Sequence, residues 1–102
     1  MGPDSKRQPI ILEDAALGFS AAGSEPRLEV LITIVRAKKD GLTVGELQEQ
    51  LKVPASTLAH HLRFLTAAGL IAQEKRGRKV INRARSAHIE ALAAYLLKEC
   101  VQ

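Results

Sequence analysis

Disulfides, membrane spans and aromatic stacking platforms are all missing from this chain, and each absence removes a class of function. The 102 residues include one cysteine, Cys100. That excludes an internal disulfide framework and suits a reducing cytoplasm. No apolar run approaches the roughly 18 residues a membrane span requires, and the first residues do not follow a signal-peptide pattern. Tryptophan is absent, and the few aromatics are Phe19, Phe64 and Tyr95. None lies in a strand pattern suited to stacking unpaired bases, which argues against single-strand or RNA recognition. The chain also lacks a nucleophile–base pair, a glycine-rich phosphate loop and a metal-ligand cluster, so we expect no enzyme, no metal and no cofactor.

What is present is one domain's worth of chain with a formal net charge of +4. That length supports a single core but no second module, and the positive balance favours an acidic partner. Residues 1–8 are polar and read as a flexible lead-in, leaving 9–102 as the domain.

The stretch from Thr43 to Ala84 carries most of the information. Thr43 and Glu46 have the spacing of a capping box, in which hydroxyl and carboxylate each satisfy a free backbone N–H. The helix they open places Leu47 and Leu51 on one side and ends near Lys52, because Pro54 biases Val53 away from helical angles. Pro54 fits the first turn of a second helix, which carries Leu58, Leu62 and Leu65 inward and stops at Gly69. Two short helices joined by so tight a turn cross steeply, as in a helix-turn-helix.

With those leucines inward, Ser56, Thr57, His60 and Arg63 fall on or near the outward face. Hydroxyls near a helix N-terminus suit phosphates, and the next turn suits base edges in a major groove. An ordinary amphipathic surface helix has the same polar exterior, and the helix alone does not decide between them. The following residues do. Leu70 to Lys75 and Lys79 to Ala84 are strand-length runs joined through Arg76, Gly77 and Arg78, a hairpin signal. From Lys75 to Arg85 the chain holds Lys75, Arg76, Arg78, Lys79, Arg83 and Arg85 and no acid. Such charge beside a recognition helix neutralises phosphates, and Arg78 at the tip can enter a narrow minor groove. The fold class is therefore mainly α with a small β-hairpin, a winged helix-turn-helix of about five helices plus a two-stranded wing.

Outside that stretch, Pro9 to Ala22 reads as a helix with Ile10, Ile11, Leu12, Ala15, Ala16, Leu17 and Phe19. Ser24 caps the next, with Pro26 in its first turn and Leu28, Leu31, Ile32 and Val35 on the buried side. Ser86 caps a last helix bearing Ile89, Leu92, Ala93, Leu96, Leu97 and Cys100. The first and last helices carry more apolar surface than one subunit buries, which predicts a two-fold homodimer.

The run VGELQEQLKVPASTLAHHLRFLTAAGLI, the hairpin's RGRKV and the upstream SEPRLEVL resemble the ArsR family of bacterial winged-helix repressors, over about Ala15 to Ala94. The resemblance implies a homodimer that binds operator DNA and lets go on sensing a metal, metalloid or other signal. It also marks departures. The family's Cys-containing metal box corresponds to GELQEQL, which has no Cys. The positions of a second family metal site read Ser86, His88, Glu99 and Gln102, too thin a set for zinc, so His88 is expected to be an early-helix surface residue. LLKEC near the chain end resembles an arsenite-sensing subgroup, but Val101 replaces the second Cys. Cys100 is left either as a thiol sensor or as a small hydrophobe on the dimer face. His61 is expected to be half-buried and hydrogen-bonded. Ala55 and Ala59 replace polar residues, and Asn82 stands where the second wing strand usually has an aromatic.

The sequence thus points to a cytoplasmic, operator-binding transcriptional regulator whose inducer is unidentified. Its DNA-contacting residues would be Ser56, Thr57, His60, Arg63, Lys75, Arg76, Arg78 and Lys79. The alternative is a winged-helix protein-interaction module without sequence-specific DNA binding, which the two alanines favour and the basic hairpin opposes.

Overall fold

The computed structural model describes residues 9–101. The expected lead-in at 1–8 and Gln102 lie outside the described residues. In chain order the elements are α1 (Leu12–Ala22), α2 (Glu25–Arg36), a short 3-10 turn (Lys38–Asp40), β1 (Leu42–Thr43), α3 (Val44–Leu51) and α4 (Ala55–Ala67), followed by β2 (Ile71–Arg76), β3 (Lys79–Ala84) and α5 (Ser86–Cys100). No helix among them is long and apolar enough to cross a membrane.

The boundaries follow local chemistry. Ser24 caps α2 by accepting from the Arg27 N–H at 3.5 Å, with a proline in the first turn. Thr43 and Glu46 form the full capping box: the Thr43 N–H donates to the carboxylate at 2.8 Å, and the Glu46 N–H donates to the Thr43 hydroxyl at 3.1 Å. Three helix starts differ from expectation. Pro54 is the residue before α4 rather than inside its first turn, and its extended backbone offers no side-chain cap. Ser86 is the first helical residue of α5, preceded by Arg85, and caps nothing. Helix α1 begins at Leu12, not Pro9.

Leu47, Leu58 and Leu65 are fully buried together with Ile34, Leu70 and Ile71, and Leu62 is nearly so. This is the junction of α2, α3, α4 and the base of the hairpin. Each such side chain contributes roughly 2 kcal/mol by leaving water, which holds the two helices of the helix-turn-helix against one another.

Helix α2 is rotated relative to the sequence reading. Leu31 is buried, but the core stripe is Val30, Leu31 and Ile34, while Leu28, Ile32 and Val35 are largely exposed. The stripe is displaced by one residue, about 100° around the axis. Arg27 explains the choice. It occupies the inward position one turn before Val30, with Nε donating to the Ala21 carbonyl at 2.8 Å and Nη2 to the Ser20 carbonyl at 3.3 Å. Its guanidinium lies 4.7 Å from the centre of the Phe64 ring. Polar capping of the α1 C-terminus and a cation–π contact outweigh a more apolar stripe.

The sheet has three strands rather than two, in the order β1-β3-β2, all antiparallel. Leu42 pairs with Asn82 and Thr43 with Ile81, while Ile71 to Arg76 pair with Ala84 to Lys79. Gly41 makes the added strand possible. Its φ is +67°, and a Cβ there would sit 2.6 Å from the Asn82 carbonyl oxygen, so only glycine lets the backbone pass.

Helices α1 and α5 pack on one another where Gly18 meets Leu92. Beyond that contact they leave Ile11, Leu12, Leu17, Phe19, Leu96, Leu97 and Val101 exposed on a single chain.

Candidate nucleic-acid interface

Helix α4 presents Ser56, Thr57, His60 and Arg63 to solvent, as its leucine spacing requires, with Ala55 and Ala59 exposed among them. Its first turn has no side-chain cap. The backbone N–H groups there remain available, and together with the helix dipole they favour a phosphate. The His60 ring meets Phe64 edge-on, with centroids 4.9 Å apart. That contact steers the imidazole while leaving it exposed.

His61 points the other way. It is half-buried, as expected, but its buried Nδ1 has no hydrogen-bond partner among the described residues. Burial, then the charge of Arg27 and of His60, holds its pKa below the ordinary histidine value. The neutral ring is therefore favoured, and the expected hydrogen bond is not what positions it. His88 is not the surface residue expected either. It is half-buried, its Nε2 lacks a partner among the described residues, and its ring lies against Gly69, 3.3 Å from where a Cβ would stand. The described residues hold no group of three or more potential metal ligands.

The wing closes through a two-residue loop, Gly77 and Arg78, instead of the three residues read from the sequence. Gly77 supplies the positive φ of +61° at the first loop position, as in a type II′ hairpin. Alternation along the strands separates two faces. Ile71, Gln73, Val80, Asn82 and Ala84 share the core-side face. Glu74, Arg76, Lys79, Ile81 and Arg83 share the other.

The charge of the hairpin is less unopposed than the run from Lys75 to Arg85 suggests. Glu74, just outside that run, accepts from Arg76 Nε at 3.1 Å and also pairs with Arg83 across the strands. Hydrogen bonds from Arg76 and then Arg83 keep its carboxyl below the usual carboxylate range. Arg83 further donates to the Lys39 carbonyl at 2.8 Å, and Arg85 to the Gly69 carbonyl at 3.3 Å. Among the described residues, Lys75, Arg78 and Lys79 make no ion pair. Those three, all exposed, are the free cations of the wing. Arg76 is half committed. Cys100 is exposed at the far end of α5.

Asn82 stands out in the sequence only as an exception to a family pattern. It is completely buried, the sole polar residue in the core among the described residues. Its Nδ2 donates to the Leu42 carbonyl at 3.1 Å, and its Oδ1 accepts from Gln73 Nε2 at 2.8 Å. The signal is legible in part: period two from Val80 and Ala84 turns Asn82 inward, where an unpaired amide would be costly.

Comparison with known proteins places this arrangement. A family model described as a helix-turn-helix domain matches residues 23–74, from the start of α2 into the wing. An uncharacterised HTH-type transcriptional regulator of Methanocaldococcus jannaschii is 35% identical over 65 residues, which is 64% of this chain and 71% of that protein. Among solved structures, an ArsR-like transcriptional regulator from Rhodococcus sp. RHA1 superposes with a TM-score of 0.75 at 29% identity, covering 84% of this chain and 78% of its own. Reduced HlyU from Vibrio cholerae gives 0.67 at 28% identity, over 88% and 92%.

Proposed function

Since this chain belongs to the ArsR family of winged helix-turn-helix transcriptional regulators, we propose that it is a cytoplasmic repressor that occupies operator DNA as a homodimer. Release follows an inducing signal whose identity is open. One observation carries the reading: an exposed recognition face (Ser56, Thr57, His60, Arg63) stands on the same rigid core as a wing with three free cations. In a two-fold dimer the two α4 helices would enter successive major grooves. Lys75, Arg78 and Lys79, with a weaker share from Arg76, would hold the flanking phosphates.

Dimerisation is supported by the apolar residues that α1 and α5 leave uncovered. Leu12 at 69% and Leu97 at 63% exposure are among several large apolar side chains there, more apolar surface than a soluble monomer usually leaves uncovered. The test of the whole reading is binding of purified protein to DNA from its own upstream region against scrambled DNA of equal composition. Preference for the natural sequence is expected. Equal binding to both, or none, refutes it.

A second reading, a protein-interaction module, draws on the exposed Ala55 and Ala59, which leave the recognition helix short of base-edge donors. It predicts no binding to either duplex. For the signal, the protein–DNA complex is challenged with arsenite, zinc, cadmium and an oxidant, in wild type and Cys100→Ser. A response lost only in the variant makes the thiol the sensor; a response shared by both, or absent from both, removes it from that role.

A further inference from the structure

The wing leaves the core with few anchors. Strand β1, which ties β3 to the helix-turn-helix, is only two residues long. Lys75, Arg78 and Lys79 all lie beyond it, toward the tip. Gly77 and Arg78 at the tip are four positions beyond the Gln73–Asn82 pair, so the tip stands roughly 13 Å from that point at about 3.3 Å per residue. A tilt of about 10° at the base therefore displaces the tip by roughly 2 Å, enough to break a charge-assisted hydrogen bond of about 2.8 Å. Affinity that depends on these cations depends on the angle at the base.

We propose that Asn82 is the positioning residue that sets the angle of the wing against the recognition helix. The proposal rests on the DNA-binding reading above. Asn82 lies on the central strand, opposite Leu42 on one side and Gln73 on the other, and its amide bonds to both at once. Leu42 in turn directly precedes Thr43, the cap of α3. The amide thus links the wing to the first helix of the reading unit through one side chain. An apolar residue would fill the same space, but packing restrains mainly distance. Hydrogen bonds from a planar amide are directional and restrain orientation as well. The backbone nearby is built to match: a side chain at Gly41 would strike the Asn82 carbonyl.

Arg83, the next residue, holds the opposite face of β3 to the Lys39 carbonyl. It is open to solvent competition in a way that fully buried Asn82 is not. Asn82 is thus the anchor that salt and water reach least.

The test uses the full chain and a labelled duplex from its own upstream region, over a salt series from about 50 to 200 mM. The expected results for Asn82→Leu are weaker binding and a flatter log–log salt slope, lower by up to about 0.9 for each phosphate no longer neutralised. Arg78→Ala should then cost much less in the Asn82→Leu background than in wild type, since a misplaced wing no longer reaches that phosphate. A side chain important only for stability would leave the salt slope of the folded fraction, and the full effect of Arg78→Ala, unchanged. That outcome overturns the inference. In the free protein, hydrogen exchange at Leu42 and Ile81 should quicken while the α2 and α4 amides keep their protection; unchanged exchange at the wing base also overturns it. Gln73→Ala, at the exposed end of the network, supplies the same test in a variant that leaves the core intact, with a smaller shift in the same direction. A wild type that binds no duplex refutes the DNA reading, and with it the purpose given to the anchor. Binding by wild type with additive variants refutes the anchor alone.

Discussion

Glu74 offers the sharpest test of how the wing works, because its carboxylate occupies two of the hairpin's cations. Replacing it by glutamine keeps the shape of the side chain and removes the charge that holds Arg76 and Arg83. Arg83 keeps its bond to the Lys39 carbonyl, so Arg76 is the cation set free. In a dimer that neutralises up to two further phosphates. Each contributes about 0.9 to the log–log salt slope, so two steepen it by about 1.8, or roughly 12-fold in affinity across a fourfold change in salt. Fluorescence anisotropy with a labelled duplex, over about 50 to 200 mM salt, measures this directly. Arg78→Gln should flatten the wild-type slope by about 1.8, whereas Arg76→Gln should flatten it much less, and comparably to Arg78→Gln only in the Glu74→Gln background. If Arg76→Gln and Arg78→Gln flatten the wild-type slope equally, Glu74 does not withhold Arg76 and the assignment of free cations is wrong.

Further tests address the core, the dimer and pH. Leu65→Ala empties a fully buried site between α4 and its neighbours and should cost about 3–5 kcal/mol in urea unfolding; a loss under about 1 kcal/mol would mean the site is not part of the packed core. Leu97→Glu places a charge in the exposed α1–α5 patch and should convert a dimer to a monomer by sedimentation, with the fold retained by circular dichroism. An unchanged dimer would move the interface elsewhere. For His61 the folded-state pKa is lowered, so the unfolded chain takes up its proton first. The stability it contributes is complete above the ordinary value near 6.5 and is lost as pH falls through the lowered folded value. His61→Gln should flatten the stability profile in that acid window; a variant as acid-sensitive as wild type would assign the effect to other groups.

Much of this fold is local chemistry, and local chemistry is legible. The capping box at Thr43 and Glu46, the leucine spacing of α4 and the hairpin each depend on neighbours a few residues away; the first two stand where the residues place them, and the hairpin turn is one residue shorter than read. The outward face of α4 follows from the same periodicity. Where two readings satisfy the periodicity equally, only packing chooses. On α2, the stripes through Leu28 and Val30 both fit a helix, and Arg27 decides between them by reaching the end of α1 and the face of Phe64. Strand β1 is too short to show a pattern, since two residues cannot display alternation. It exists because Gly41 lets the chain run close to β3.

By itself, the sequence determined the helix-turn-helix, the identity of its exposed residues and the presence of a basic wing, because capping, periodicity and turn chemistry act along the chain. Tertiary structure alone decided which of those charges are free and what holds the wing. Glu74 and Arg83 are nine residues apart, and Asn82 and Leu42 are forty. No local preference specifies such pairs; the antiparallel register brings them together, and burial then makes their hydrogen bonds obligatory at Asn82 and optional at Glu74.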